Sequence, residues 1–274
     1  MDTTFLTNAF HIYLWVMVCL AVVVFVALQF FNAGYGLLYT QKGSNTLRLG
    51  PAINNKVAWF FMELPVFLVM IIIWACSPHR FDIVPCVFLL IFETHYFQRA
   101  LIFPWIIKGK SKMPIGIMIM GICFNIRNAV MQGYWIFFES YNVGYQVFGI
   151  GYTDIEWLWS PQFIIGTILF IAGFVINLHS DYIIRHLRKD DNDTKHYLPK
   201  GGLFNYVTSA NYFGELMEWL GFAILTWSVS GLVFFIWTFA NLVPRTRTIY
   251  KRYQEEFAEE MKGRKLKRVF PFIY

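Results

Sequence analysis

The side chains most able to do chemistry in this chain sit where they are costly to keep. Residues 177 to 218 run from an apolar segment into INLHSDYIIRHLRK, then YLPKGGLFNYV, then SANYFGELMEW. An ionisable group at bilayer depth costs roughly 2.5 to 3.5 kcal/mol on insertion scales, so Asp181, Arg185, Glu215 and Glu218, with the polar Asn177, at the ends of two hydrophobic helices, read first as a functional site. Asn177, Asp181, Arg185 and Arg188 follow i, i+4, i+8, i+11. Asn211, Glu215 and Glu218 follow i, i+4, i+7, so each set shares one helix face. Two such faces must meet each other or a ligand. Between them Pro199, Gly201 and Gly202 supply a turn where backbone amides can approach a ligand. Asn and Asp beside Arg and Lys suit a polar, phosphate-bearing cofactor, because a guanidinium can hold phosphate with a two-pronged fork. The same spacing also suits a structural ion-pair network between helices. GxGxxG and Walker sequences are absent from the chain, so a nucleotide would not rest on a Rossmann or P-loop scaffold.

A second constellation lies upstream. WFFMELPVF places Glu63 inside an apolar helix just before Pro65, and FETHYFQRALIFP places Glu93, His95, Tyr96 and Arg99 inside another. Tyr96 and Arg99 are i, i+3 neighbours on one face. An acid and a phenol converging in a dry pocket can both donate hydrogen bonds to a substrate carbonyl, provided the acid keeps its proton. For Tyr96 alone, a membrane aromatic satisfied by a backbone carbonyl is the plainer reading. His95 and His179 read as core histidines, and with no third partner at ligand spacing no metal site is expected.

The elements that must position these groups are transmembrane helices. Hydrophobic residues make up 57% of the chain and charged residues 15%, and mean hydropathy is +0.48, which excludes a soluble globular domain. Runs of about 20 apolar residues, the length of a span, fall near 11–31, 57–76, 82–105, 114–138 and 161–184. Residues 211–243 hold two more, 211–227 and 229–243, if the chain turns near Trp227 to Gly231. The expectation is an all-α, polytopic integral membrane protein with seven transmembrane helices and a single domain over 1–274, ending in a tail at 244–274.

Charge placement orients it. Lys42, Arg48 and Lys56 lie in the first loop, Lys108, Lys110 and Lys112 in the third, and Arg185, Arg188, Lys189, Lys195 and Lys200 in the fifth, while nine more Lys and Arg follow Pro244. Basic loops stay cytoplasmic, so seven spans place the N-terminus outside and the C-terminus in the cytoplasm. The net charge of +6 thus reflects topology, and with no soluble basic fold no nucleic-acid partner is expected. The N-terminus, MDTTFLTNAFHIY, lacks a basic region and leads into a full span rather than a cleavable signal. Cys19, Cys76, Cys86 and Cys123 fall in or beside spans without CxxC spacing and read as packing residues.

With these residues in view, the chain resembles a known family. The runs INLHSDYIIRHLRK and YLPKGGLFNYVTSANYFGELMEWLGFAILTWS, with upstream WFFMELP, HYFQRALIFP, MQGYW and GYTDIEW and downstream FPFIY, are similar to the steroid 5-alpha-reductases from about Tyr35 onward. The resemblance implies a seven-helix membrane enzyme that uses NADPH to reduce the carbon–carbon double bond conjugated to a steroid 3-ketone, with hydride delivered to carbon 5. It implies that Glu63 and Tyr96 hold the ketone oxygen as catalytic residues. Arg99, Lys110, Asn177, Asp181, Arg185, Arg188, Tyr197, Asn211 and Tyr253 would contact NADPH, with Glu215 at the junction of cofactor and substrate. Four positions depart from the family pattern: Met62 stands where relatives often carry Gln, Ile249 where they carry His, and Lys108 and Lys110 where they carry Arg. The expected partners are a lipophilic enone, a steroid entering from the bilayer, and membrane lipids around a monomer. The membrane would be the endoplasmic reticulum in a eukaryote or the inner membrane in a bacterium. Other readings are a reductase of another lipid enone or of an enoyl thioester, and a receptor or transporter with seven helices.

Overall fold

The structure, a computed structural model, describes residues 3–33, 46, 47, 49–190, 192, 193 and 195–274. Tyr35, Lys42 and Arg48 of the expectations above lie outside them. Seven helices dominate: α1 (Thr3–Phe30), α2 (Asn55–Cys76), α3 (Ile83–Ile106), α4 (Ile115–Asn142), α5 (Pro161–His186), α6 (Ala210–Thr226) and α7 (Val229–Glu256). All except α6 are long and apolar enough to cross a membrane, which is the build of a polytopic integral membrane protein. α6 has 17 residues, just under the length a span ordinarily needs.

Local chemistry sets the boundaries. The Asn54 side chain accepts from the Lys56 amide at 2.8 Å to start α2, and the Ser160 hydroxyl accepts from Phe163 N with Pro161 in the first turn of α5. The expected reversal between the last two helices occurs at Trp227, which adopts a left-handed conformation at φ +46°. Ser228 then caps α7 by accepting from Gly231 N at 3.0 Å. The chain differs from expectation at both ends. α1 begins at Thr3 rather than near residue 11. α7 continues through Pro244 to Glu256, so the first part of the tail is helix, held because Arg245, Thr246, Arg252 and Tyr253 are buried.

Two helices carry wide π turns, in which each amide reaches back five residues. One spans Phe97–Ile102, inside α3 and around Arg99; the other spans Trp135–Glu139, inside α4. A short antiparallel pair, β1 (Ala52–Asn54) with β2 (Lys112–Pro114), ties the start of α2 to the start of α4.

The closest packing joins α5 and α6. Gly166 faces Gly221 and Gly173 faces Gly214, each pair seven residues from the next on its helix, and a methyl built at Gly166 would stand 2.7 Å from the Gly221 carbonyl oxygen. Backbone meets backbone there, as small residues allow between membrane helices. The consequence is positional: Asn177 and Asp181 are brought against the turn that carries Asn211 and Glu215. Around this pair a buried aromatic core, including Phe88, Phe92, Trp135, Trp157, Trp219 and Phe222, fills the end of the bundle away from the basic loops.

Candidate active site

One large cavity of about 750 Å³ runs between the helices, lined by residues of all seven. Its two ends differ. At the dry end stand Trp59, Met62, Phe124, Trp219, Phe234 and Trp237, with Glu63 and Tyr96 among them. Glu63 is held by Asn125, whose Nδ2 donates to Glu63 Oε2 at 3.1 Å and to the Met62 carbonyl at 2.7 Å. Asn128 Nδ2 donates to the Tyr96 hydroxyl oxygen at 3.0 Å. That bond uses an acceptor lone pair of the phenol and leaves its O–H free to donate elsewhere. Farther along the same face of α4, Gln132 Nε2 donates to the Ser230 carbonyl at 2.9 Å. Asn125, Asn128 and Gln132, spaced i, i+3, i+7 in α4, are thus a polar stripe that braces the acid and the phenol. The signal of this stripe in the sequence is three amides in an apolar run, at a spacing that the expectations above do not use.

In the middle of the cavity wall, Arg99 bridges two acids: its NH1 donates to Asp181 Oδ2 at 2.8 Å and its NH2 to Glu215 Oε2 at 3.0 Å. Its guanidinium also lies 4.7 Å from the Phe103 ring centre. Beside it His95 Nδ1 meets Glu218 Oε1 at 2.6 Å, both fully enclosed. His95, read from sequence as a core histidine, lines the cavity while tied to Glu218 across 123 residues.

The other end opens toward the basic loops and is lined by Arg188, Lys195, His196, Tyr197, Asn211 and Tyr253, with Thr208, Ser209 and Arg245 nearby. Arg188 NH1 donates to the Lys108 carbonyl at 3.0 Å and Lys108 Nζ returns a bond to the Arg188 carbonyl at 3.1 Å, so the loop after α3 and the end of α5 clasp each other. Arg252 NH2 donates to His196 Nδ1 at 2.7 Å. Burial, then the Arg252 charge, hold this imidazole below its ordinary range, which keeps a lone pair available for that bond.

Nine of the twelve residues expected from sequence therefore line one cavity: Glu63, Tyr96, Arg99, Asp181, Arg188, Tyr197, Asn211, Glu215 and Tyr253. Three do not. Asn177 is buried behind the wall, its Nδ2 donating to the Asn211 carbonyl at 3.1 Å. Arg185 lies over the Tyr182 ring, and Lys110 is exposed on its loop. The Gly201–Gly202 turn turns inward on itself, with Gly201 N donating to Asn205 Oδ1 at 3.1 Å. Met62 and Ile249, two of the departures from the family pattern, are both in the cavity wall.

Comparison with known proteins identifies the family. The family profile described as 3-oxo-5-alpha-steroid 4-dehydrogenase matches residues 111–274. Steroid 5-alpha-reductase DET2 of Solanum lycopersicum is 36% identical over 273 residues, covering 97% of this chain and 98% of that protein. The 3-oxo-5-alpha-steroid 4-dehydrogenase 1 proteins of Bos taurus and Homo sapiens are 35% and 38% identical, over 93% and 81% of this chain and the same shares of their own lengths. A profile match over more than half the chain and identities of this size over nearly its whole length leave one conclusion: the chain belongs to the 3-oxo-5-alpha-steroid 4-dehydrogenase family of oxidoreductases, the steroid 5-alpha-reductases.

Proposed function

We propose that this chain reduces the carbon–carbon double bond conjugated to the 3-ketone of a steroid, giving the 5-alpha product, with NADPH as reductant. The observation that carries the reading is the single cavity joining a dry end, with an acid and a phenol, to a cationic mouth. Its volume, about 750 Å³, falls within the common range for small-molecule sites. The mouth fits a dinucleotide by its donor set. Arg188 contacts a carbonyl rather than a carboxylate, Asn211 and Tyr253 add neutral donors, and Tyr197, whose O–H donates to Asp193 Oδ2 at 2.9 Å, adds its ring and an oxygen lone pair, a combination suited to phosphate and ribose. Arg188, Tyr197, Asn211 and Tyr253 would hold the cofactor directly, and Asn177 would hold Asn211. When bound, NADPH supplies the hydride that reaches carbon 5.

The chain's own residues do the rest. Addition of hydride at carbon 5 gathers negative charge on the ketone oxygen as an enolate, Glu63 and Tyr96 donate hydrogen bonds to it, and a proton taken up from solvent at the alpha carbon completes the saturated ketone. Asn125 and Asn128 fix both donors before substrate arrives, so little reorganisation is needed as charge develops. Arg99 holds Asp181 and Glu215 together between the two ends, keeping their charge compensated. Seven spans, with the N-terminus outside and the C-terminus in the cytoplasm, place the mouth on the cytoplasmic side, where NADPH is dissolved, and leave the dry end open to a steroid from the lipid. The reading includes a single domain acting as a monomer in the endoplasmic reticulum or a bacterial inner membrane. Met62 beside Glu63 favours, as a second reading, another lipid enone that presents less polar surface there.

The test is NADPH oxidation by the purified protein in lipid nanodiscs, with testosterone, progesterone and enoyl-CoA compounds in parallel. A steroid is expected as the best substrate, and Glu63→Gln or Tyr96→Phe should each lower turnover about 100- to 1,000-fold, the size of losing one such donor, while NADPH affinity stays within about twofold. Loss of cofactor affinity with intact single-turnover chemistry would reverse the roles assigned here.

A further inference from the structure

Beyond α7 the chain turns back alongside the membrane helices. Lys267 N donates to the Tyr206 carbonyl at 2.8 Å, and Thr208 N and Ser209 N donate to the Lys267 and Arg268 carbonyls at 2.9 and 3.1 Å. Val269 is then buried against Leu216 of α6 and Val243 of α7. Phe270 packs beside Phe213 and Phe239, at ring-centre distances of 6.3 and 6.4 Å. Phe239 stands ten residues into α7 (239 − 229), about 15 Å along a helix, and Phe213 lies three residues into α6 (213 − 210), so Phe270 packs between these two helices rather than beyond their ends. The chain end therefore lies alongside these helices.

Its last residues face outward. A tight turn, with Val269 N and Phe270 N both donating to the Tyr274 carbonyl at 2.8 Å, leaves Phe272 76% and Ile273 80% exposed. Phe272 is held at φ +67°, a left-handed conformation that costs a bulky residue about 1 to 3 kcal/mol. Its ring meets Tyr206 at 5.4 Å, itself 48% exposed. Residues 262–274 carry Lys262, Arg264, Lys265, Lys267 and Arg268 and no acid. Arg268 lies over the Tyr274 ring at 4.7 Å. Exposed aromatic and aliphatic side chains, next to residues that pack on α6 and α7 and rimmed by cations, match the boundary between acyl chains and anionic headgroups.

We propose that residues 268–274 form a re-entrant hook that seats Phe272 and Ile273 in the lipid of the leaflet on the basic-loop side, with Lys262 and Lys265 against anionic headgroups; the choice of leaflet rests on the topology proposed above. The hook also has a mechanical role. The strand it anchors holds Thr208 and Ser209, both at the cavity mouth, so the bilayer braces the start of α6.

The test places photoreactive p-benzoyl-phenylalanine at position 272, and in a second variant at 273, of the full chain in phosphatidylcholine proteoliposomes with and without phosphatidylserine. Variants are compared with wild type by melting in detergent, so a misfolded sample is recognised. Light should link the probe to lipid, with phosphatidylserine labelled about fivefold beyond its share. Lys262→Gln with Lys265→Gln should abolish that excess while lipid labelling persists. Links between two copies of the chain, or no lipid adduct at either position, would overturn the hook. Lipid adducts without the phosphatidylserine excess would overturn the headgroup pairing. None of these readouts depends on turnover, so the result stands apart from the fate of the proposed reaction.

Discussion

The cavity has two walls built on different principles. The α5–α6 wall brings backbones into contact through Gly166, Gly173, Gly214 and Gly221, and it carries Asp181, Asn211 and Glu215. The α1 wall offers Met17, Leu20, Val24 and Leu28, all apolar. α1 is attached more lightly: only 17% of its most apolar stretch is buried inside the protein, against 61% for α7. Its polar ties run from Trp237 Nε1 to the Met17 carbonyl at 2.7 Å and from the Tyr13 hydroxyl to the Arg127 carbonyl at 2.8 Å. The contrast follows from what each wall holds. Charged groups need partners fixed to within a fraction of an ångström, and contact between backbones fixes them. An apolar wall needs only to exclude water, which many side-chain arrangements do.

The largest effect expected from this division comes from Gly214→Ala. Its new Cβ would lie 2.6 Å from the Asn177 nitrogen and 2.8 Å from the Gly173 carbonyl oxygen, both backbone atoms, so α6 must move away from α5. Overpacking of this kind costs about 1 to 3 kcal/mol. Asn211 and Glu215 ride on the turns that move, and a displacement of about 1 Å can cost about 100-fold in turnover. Melting in detergent should fall and kcat should fall with it. Wild-type kcat in a destabilised Gly214→Ala would show that the rail supports the fold without positioning the site.

An intermediate effect is expected one layer behind the dry end. Asn128→Leu keeps the size of the side chain but removes the donor to Tyr96, leaving the phenol to choose other orientations. A hydrogen bond of this kind contributes about 0.5 to 1.5 kcal/mol, so kcat should drop about two- to tenfold, with NADPH affinity unchanged. A loss in NADPH affinity instead would place Asn128 with the mouth rather than with the carbonyl donors.

What the sequence made legible follows the same line. Glu63, Asp181, Glu215 and Arg99 stand out because ionisable residues in apolar runs have few reasons to be there. The helices stand out because hydrocarbon demands long apolar segments. Partnerships were harder to read: Arg99 to Asp181 and His95 to Glu218 join positions 82 and 123 residues apart, and spacing along one helix says nothing about which helix it meets. The glycines at sevenfold spacing in α5 and α6 were visible but carry meaning only once the two helices are known to touch. The π turn around Arg99 has no compositional mark. Hydropathy ends the last span at residue 243, before Arg245, whereas the helix persists to Glu256 with Arg245, Thr246, Arg252 and Tyr253 buried. Arg185 shares a helix face with Asp181 by spacing, and Lys110 enters through the resemblance, but neither spacing nor resemblance shows which cations line the cavity: Arg185 lies over Tyr182 and Lys110 is exposed on its loop.

The smallest effect should come from the α1 wall, and it is the sharpest check on the contrast. Leu20 lines the cavity and is 43% exposed, so Leu20→Ala removes only part of a buried apolar contact. At about 25 cal/mol per Å² of buried apolar surface, the part of the side chain facing a bound steroid is worth about 1 kcal/mol or less. KM for the steroid should rise about two- to fivefold at most, while kcat and the melting temperature stay at wild-type values, because nothing that holds Glu63, Tyr96 or Arg99 touches that position through a hydrogen bond. If Leu20→Ala lowered kcat as steeply as Gly214→Ala, α1 would belong to the frame that aligns the reacting groups, and the division into a positioning wall and an excluding wall would fail.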